Sequence, residues 1–231
     1  MSRTLWTRNF TIITLGTVIS AIGGVAMSFA LSFVVFDNTG STLLMGVFSA
    51  VSLLPHTLIP VLAAPYLDNF RRKPVIVGLD YFTGVAFLVM GVYLLSHSFQ
   101  MEVYLAFSLL INTAGAVYQL AYSSLYPNLI PKGFAQKGYT VSGMLYPTVI
   151  MVMTPVASVL YTSFGLPVIC LGEGVLLILA ATVETQIRVE ETVARGGRFS
   201  FRDYLQDFQE GFQYLRREKG LLRVYTYMPL S

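Results

Sequence analysis

The chain has 231 residues, of which 55% are hydrophobic and only 12% charged, about half the roughly 25% charge of an ordinary soluble domain. So little charge cannot cover a soluble surface, and disorder is excluded because it requires low hydrophobicity with high charge. A single cysteine, Cys170, leaves neither a disulfide framework nor a Cys-rich zinc site, and an integral membrane protein is what remains.

Lys and Arg are absent from Asn9 to Phe70, from Pro74 to Pro131 and from Gly138 to Ile187. These stretches can hold six helices of the ~20 apolar residues that cross a ~30 Å hydrocarbon core. In chain order the spans are expected at Phe10–Phe36, Thr42–Tyr66, Pro74–Ser96, Glu102–Tyr126, Gly138–Thr162 and Leu166–Thr182. Helix breakers stand between them: Asp37-Asn38-Thr39-Gly40, Pro127 with Pro131 and Gly133, and Phe164-Gly165. The first apolar run is too long for a signal-peptide core and is expected to be retained.

All 15 basic residues fall at the N-terminus, between the second and third spans, between the fourth and fifth, or after the sixth. That is one side of the membrane, which the positive-inside rule makes cytoplasmic, N-terminus included. The net charge of +3 is therefore a topology signal and gives no support to a nucleic-acid partner. The lipid bilayer is the partner that the composition itself names.

After a bundle over residues 1–183, residues 184–220 read as a cytoplasmic linker with an amphipathic helix. Phe201, Leu205, Phe208, Phe212 and Leu215 recur at spacings of four, three, four and three, opposite Arg202, Asp203, Gln206, Gln209, Glu210 and Arg216. Such a helix suits the membrane surface, or packing between two membrane halves. Residues 221–231 open another apolar run too short to span, the expected start of a seventh helix.

The stretch Ala64-Pro65-Tyr66-Leu67-Asp68-Asn69-Phe70-Arg71-Arg72-Lys73 resembles the loop signature G-x-x-x-D-R-x-x-R-R/K of the major facilitator superfamily. Ala64 replaces the usual Gly and Asn69 the first Arg. Phe36-Asp37-Asn38-Thr39-Gly40-Ser41, Pro127-Asn128-Leu129-Ile130-Pro131 and the segment from Glu210-Gly211-Phe212 to Lys219-Gly220-Leu221 are similar to the macrolide-efflux and siderophore-export branch. The resemblance implies an all-α fold of six transmembrane helices, arranged as two inverted three-helix repeats. It makes this chain the N-terminal half of a twelve-helix secondary transporter, with a C-terminal six-helix half as its partner. The implied activity is alternating-access efflux of a small organic molecule, an antiporter reading. The competing reading is a self-contained six-helix membrane protein, such as a channel subunit or assembly factor.

The resemblance gives Asp68, Arg72 and Lys73 a gating role on the cytoplasmic side; anchoring to anionic lipid would explain the basic residues alone. On the fourth helix Asn112, Gly115, Gln119, Tyr122 and Tyr126 share a face, and Asn112 lies about 15 Å in from Glu102, near the midplane. The family places this helix beside the central cavity, so Asn112, Gln119 and Tyr122 are substrate-pathway candidates, with Gly24 and Ser28 across from them. On the first helix Ser20, Gly24, Ser28 and Ser32 recur every fourth residue, which suits close helix packing first and cavity lining second. His56 is a further pathway candidate, though a buried histidine bonded to a neighbour is its plainer reading. Asp80 and Glu173 are candidate proton carriers inside the membrane, but the family puts their helices at the periphery. Where proton-driven relatives carry an acid in the first helix or an arginine in the fourth, this chain has Gly24 and Asn112.

No phosphate loop, H-E-x-x-H or G-x-S-x-G is present, so no enzyme or cofactor reading is supported. Uncharged pathway candidates suit an amphipathic organic molecule, and an anionic substrate would call for Arg or Lys.

Overall fold

The computed structural model describes residues 4–67 and 70–187, the side chains of 64–66 excepted. The predicted linker beyond residue 187, the amphipathic helix, the seventh-helix start and Asp68 lie outside these residues. Five long apolar helical runs account for the described chain, with no strand among the described residues. They are α1 (Arg8–Thr39), α2 (Thr42–Leu67), α3 (Arg72–Leu94), α4 (Met101–Leu129) and α5 (Ala135–Glu184).

The ends follow local chemistry. Thr7 caps α1 by accepting the Phe10 amide at 3.4 Å. The Asp37-Asn38-Thr39 breaker does not end the helix early, because Asn38 Nδ2 and Thr39 Oγ1 bond back to the Val34 and Val35 carbonyls at 2.8 and 2.6 Å. The stop comes at Gly40, whose left-handed φ of 64° lets its amide close on Phe36 O at 2.7 Å.

Where two spans were expected over 138–182, one hydrogen-bonded run of 50 residues is found. At 1.5 Å per residue it would be ~75 Å long, more than twice the hydrocarbon core. It is not straight. Gly165 adopts φ 74°, ψ 173°, breaking the run into arms of residues 135–164 and 166–184. Contacts with α1 give the arms opposite directions. On the first arm Val149 clusters with Ala21 and Val25, and Tyr161 bonds Asp37, so numbers rise together. On the second arm Cys170 meets Met27, Glu173 meets Gly23 and Glu184 meets Gly16, so they run against each other. The predicted Phe164-Gly165 breaker is therefore a chain reversal.

The second arm packs against α3 through two glycines. A Cβ on Gly174 would lie 2.8 Å from the Gly84 carbonyl oxygen, and one on Gly84 would lie 3.1 Å from that of Gly174. Along residues 76–94 and 166–184 the sequence of buried, half-buried and exposed positions is the same at every step but one, Leu79 against Ile169. Gly84 and Gly174 occupy equivalent places in these two series, and they touch.

Two buried clusters close the ends of the bundle. One gathers Phe87, Met90, Tyr104, Phe107 and Leu166 near the C-terminus of α1, where the Phe87 and Phe107 rings meet edge to face at 5.2 Å. The other joins Phe10, Ile13, Tyr122, Leu125, Tyr126 and Ile187 at its N-terminal end. Helix α2 contributes little to either. Leu43, Leu53, Leu58 and Leu62 are exposed along it, as are Met144, Met151 and Val159 on the first arm of α5.

Candidate functional site

Between the two clusters lies a cavity of about 390 Å³, walled by all five runs. Its α1 wall is the stripe Ser20, Gly24, Ser28 and Ser32. Gly24 is not a point of close approach, since a Cβ on it would meet nothing within 4 Å, while Ser32 meets α2 through Ser49, Oγ to Oγ at 3.1 Å. The close approaches of α1 are made one face around, at Gly16 and Gly23, where a Cβ would collide with Glu184 and Glu173. The four-residue period therefore marks the cavity, and the seven-residue pair of glycines marks the packing seam.

Across from that stripe a polar chain ties α2 to α4. Ser108 Oγ donates to Ser52 Oγ at 2.7 Å. Asn112 Nδ2 donates to the Ser108 carbonyl at 2.8 Å, which turns its Oδ1 toward His56 Nε2, 3.2 Å away. An amide oxygen only accepts, so this contact requires the histidine tautomer with its proton on Nε2. His56 is thus both hydrogen-bonded and part of the cavity lining.

The α4 stripe divides along its length. Asn112 and Gly115 line the cavity, but Gln119 is exposed outside it. Tyr122 is buried in the cluster at the N-terminal end of α1, its ring 5.2 Å from that of Tyr126. Tyr126 in turn donates to Gly138 O at 2.8 Å. The helical period predicts which residues share a face. It does not tell where along that face the first turns of α1 and α5 close the space.

Asp80 and Glu173 also border the cavity, each only 4% exposed. Whatever the place of their helices in a whole transporter, α3 and the second arm of α5 turn these two acids inward, Glu173 against Gly23 of α1. The lining is accordingly not without ionisable groups: among the described residues it holds two carboxyls and an imidazole and no Lys or Arg. A third acid was read as the start of the polar linker. Glu184 is instead the last residue of α5, fully buried against Gly16. The signal for it was present in the sequence. Gly16 and Gly23 lie two helical turns apart, and Glu173 and Glu184 three, so each pair marks one face of its helix. Ser49, Ser52, Thr83, Ser108, Tyr118 and Tyr146 complete the polar lining, and of these Ser52 and Ser108 stand one turn before His56 and Asn112, a spacing the sequence shows.

Of the loop residues, Lys73 donates from Nζ to the Thr185 carbonyl at 2.8 Å, joining the start of α3 to the end of α5. Arg8 reaches the same end through Gln186 Oε1 at 3.1 Å. Cations at a helix C-terminus are favourably placed against its dipole. Arg72 opens α3.

The chain resembles an efflux protein. It is 24% identical over 238 aligned positions to macrolide efflux protein A of Streptococcus pyogenes, and equally to the protein of that name from S. pyogenes serotype M6. The alignment takes in 98% of this chain and 58% of each relative, so the chain spans somewhat over half their length. The expected resemblance to the macrolide-efflux branch is thus met by a distant relative along nearly the whole chain. No family model matches it, and no solved structure does.

Proposed function

We propose that this chain is the N-terminal six-crossing half of a major-facilitator-type exporter, and that it moves an amphipathic organic molecule by alternating access. The observation that carries the reading is a cavity of mixed polar and apolar lining between two packed ends, in a chain similar to an efflux protein over 98% of its length. Secondary transporters bind at the midplane, where inverted repeats meet. Three features support such repeats here: the reversal at Gly165, the burial series shared by residues 76–94 and 166–184, and the contact of the equivalent Gly84 and Gly174. An element related to another by a two-fold axis touches its own counterpart near that axis, as these glycines do.

The positive-inside rule places the N-terminus in the cytoplasm of a cell whose plasma membrane the chain crosses. The basic termini of α1 and α3 then close the cytoplasmic side through Thr185 and Gln186. With Asp68, the residues Arg72 and Lys73 form the gate that opens when the cavity faces inward. The exposed apolar faces of α2 and the first α5 arm are the surfaces offered to lipid and to a C-terminal half.

Hydroxyls, an amide, an imidazole and two carboxyls stand beside apolar Met27, Leu31, Phe48 and Phe87, with no Lys or Arg among the described lining residues to hold an anion, and such a lining suits neutral or cationic amphiphiles. Uptake of a labelled macrolide into inverted vesicles, or its efflux from cells, tests this in the full-length protein, with Asn112→Ala and His56→Ala beside wild type. Transport in the two variants is expected to fall by about tenfold, the equivalent of 1.4 kcal/mol. Unchanged transport in both, or a preference for small anions, would overturn the assignment of the site.

A further inference from the structure

Two niches in α1 are built around carboxyl groups. Gly23 leaves room for the Glu173 carboxylate and Gly16 for that of Glu184; a methyl at either position would occupy the acid's place. Asp80 of α3 stands between them, within hydrogen-bonding reach of Glu184 and in the electrostatic field of Glu173. Glu184 is 0% exposed and the other two acids 4%. Asp80 Oδ2, Glu173 Oε2 and both Glu184 oxygens have no hydrogen-bond partner among the described residues. Asp80 and Glu184 are thus near enough to share a proton, but no formed hydrogen bond joins them.

The three acids are arranged in a direction. Glu173 and Asp80 border the cavity and Glu184 does not. Glu184 lies eleven residues, roughly 16 Å, farther along α5 than Glu173, at the end held by Lys73 and Arg8. The other ionisable groups facing the line are known on each element. Tyr118 and Tyr122 of α4 face Glu184, Tyr118 also faces Asp80, and Cys170 of α5 faces Glu173. On α2, His56 is engaged by Asn112. Tyrosines and a thiol can donate hydrogen bonds but cannot neutralise three charges. A buried charge without compensation is strongly disfavoured, so neighbouring acids in this seam hold protons between them.

We infer that Glu173, Asp80 and Glu184 form a proton path from the cavity to the cytoplasmic end of α5, and that it drives the efflux proposed above. In one cycle the O–H bond of the Glu173 carboxyl breaks and, relayed by water in the cavity that both acids border, a proton joins the Asp80 carboxylate. Asp80 passes a proton to Glu184, Glu184 releases one to the cytoplasm, and the Glu173 carboxylate takes up a proton from the outer side through the cavity it borders. Each acid ends in the state in which it began, with one proton carried inward for substrate carried outward. The inference rests on the efflux reading and assigns its coupling to the seam of α1, α3 and α5, away from the amide and imidazole of α2 and α4.

The test separates the two. The full-length protein, with the proposed C-terminal half, is purified into proteoliposomes and assayed with a labelled macrolide in two modes, exchange at equal pH and accumulation driven by an imposed pH gradient. Glu184→Gln is expected to keep exchange, because Glu184 lies outside the cavity, and to lose gradient-driven accumulation by about fivefold or more. Infrared difference spectra of the protein alone, as pH is stepped, should show protonated-carboxyl bands at neutral pH that weaken in Glu173→Gln, Asp80→Asn and Glu184→Gln. Gradient-driven accumulation equal to wild type in Glu184→Gln would overturn the path, as would the absence of any protonated-carboxyl band in wild type. Absence of exchange in wild type would instead overturn the efflux reading.

Discussion

Replacing Gly174 with alanine should separate α3 from the second arm of α5. The new Cβ would sit 2.8 Å from the Gly84 carbonyl oxygen and 2.7 Å from Leu88 Cγ. Leu88 can turn aside, but the carbonyl is fixed by its helix. Reaching ordinary contact, which begins at 3.4 Å, requires the helices to part by about 0.6 Å. Overpacking of this kind costs about 1–3 kcal/mol. Alanine also gains up to about 1 kcal/mol in helix propensity over glycine, which would mask part of the loss. Gly24→Ala removes that ambiguity, because Gly24 is helical too and its Cβ would meet nothing within 4 Å. The propensity gain is common to both variants, so their difference isolates the steric cost. Unfolding of the detergent-purified variants should place Gly174→Ala below Gly24→Ala by about 1–3 kcal/mol, or roughly 5- to 150-fold in the folding equilibrium. Equal stability of the two would refute the close helix crossing, and with it the contact that supports the inverted repeats.

Three other substitutions or probes address separate parts of the bundle. Tyr126→Phe removes the 2.8 Å bond to Gly138 O and should lower stability by about 0.5–1.5 kcal/mol in the same unfolding assay. Cys170, fully buried beside Met27, should resist a maleimide in folded protein and react once denaturant is added; prompt labelling of the folded form would contradict the packing of α5 on α1. Gly40→Ala forces a Cβ into a left-handed residue at φ 64° and should cost about 1–2 kcal/mol, read as a lowered melting temperature.

The sequence alone determined the class of the molecule and the rough position of each helix. Hydrophobicity, the spacing of basic residues and the glycine and proline breakers act locally or through the bilayer, so they can be read without knowing what packs on what. Gly165 is an example: the break was predicted from Phe164-Gly165, and the structure put the reversal there. Part of the cavity was legible for the same reason, since Asn112, Gly24 and Ser28 are polar or small residues within apolar runs, and they line it. Only the tertiary structure decided which polar residues share that space. Gln119 and Tyr122 lie on the same helical face as Asn112, but they fall outside the cavity because Phe10, Tyr126 and Gly138 close that end. Asp80 is far in the chain from Glu173 and Glu184, and although the latter two share a readable helix face, the sequence carries no label saying what that face opposes. They meet because glycines at 16 and 23 leave room on α1, and a missing side chain becomes a niche only when another helix is brought against it.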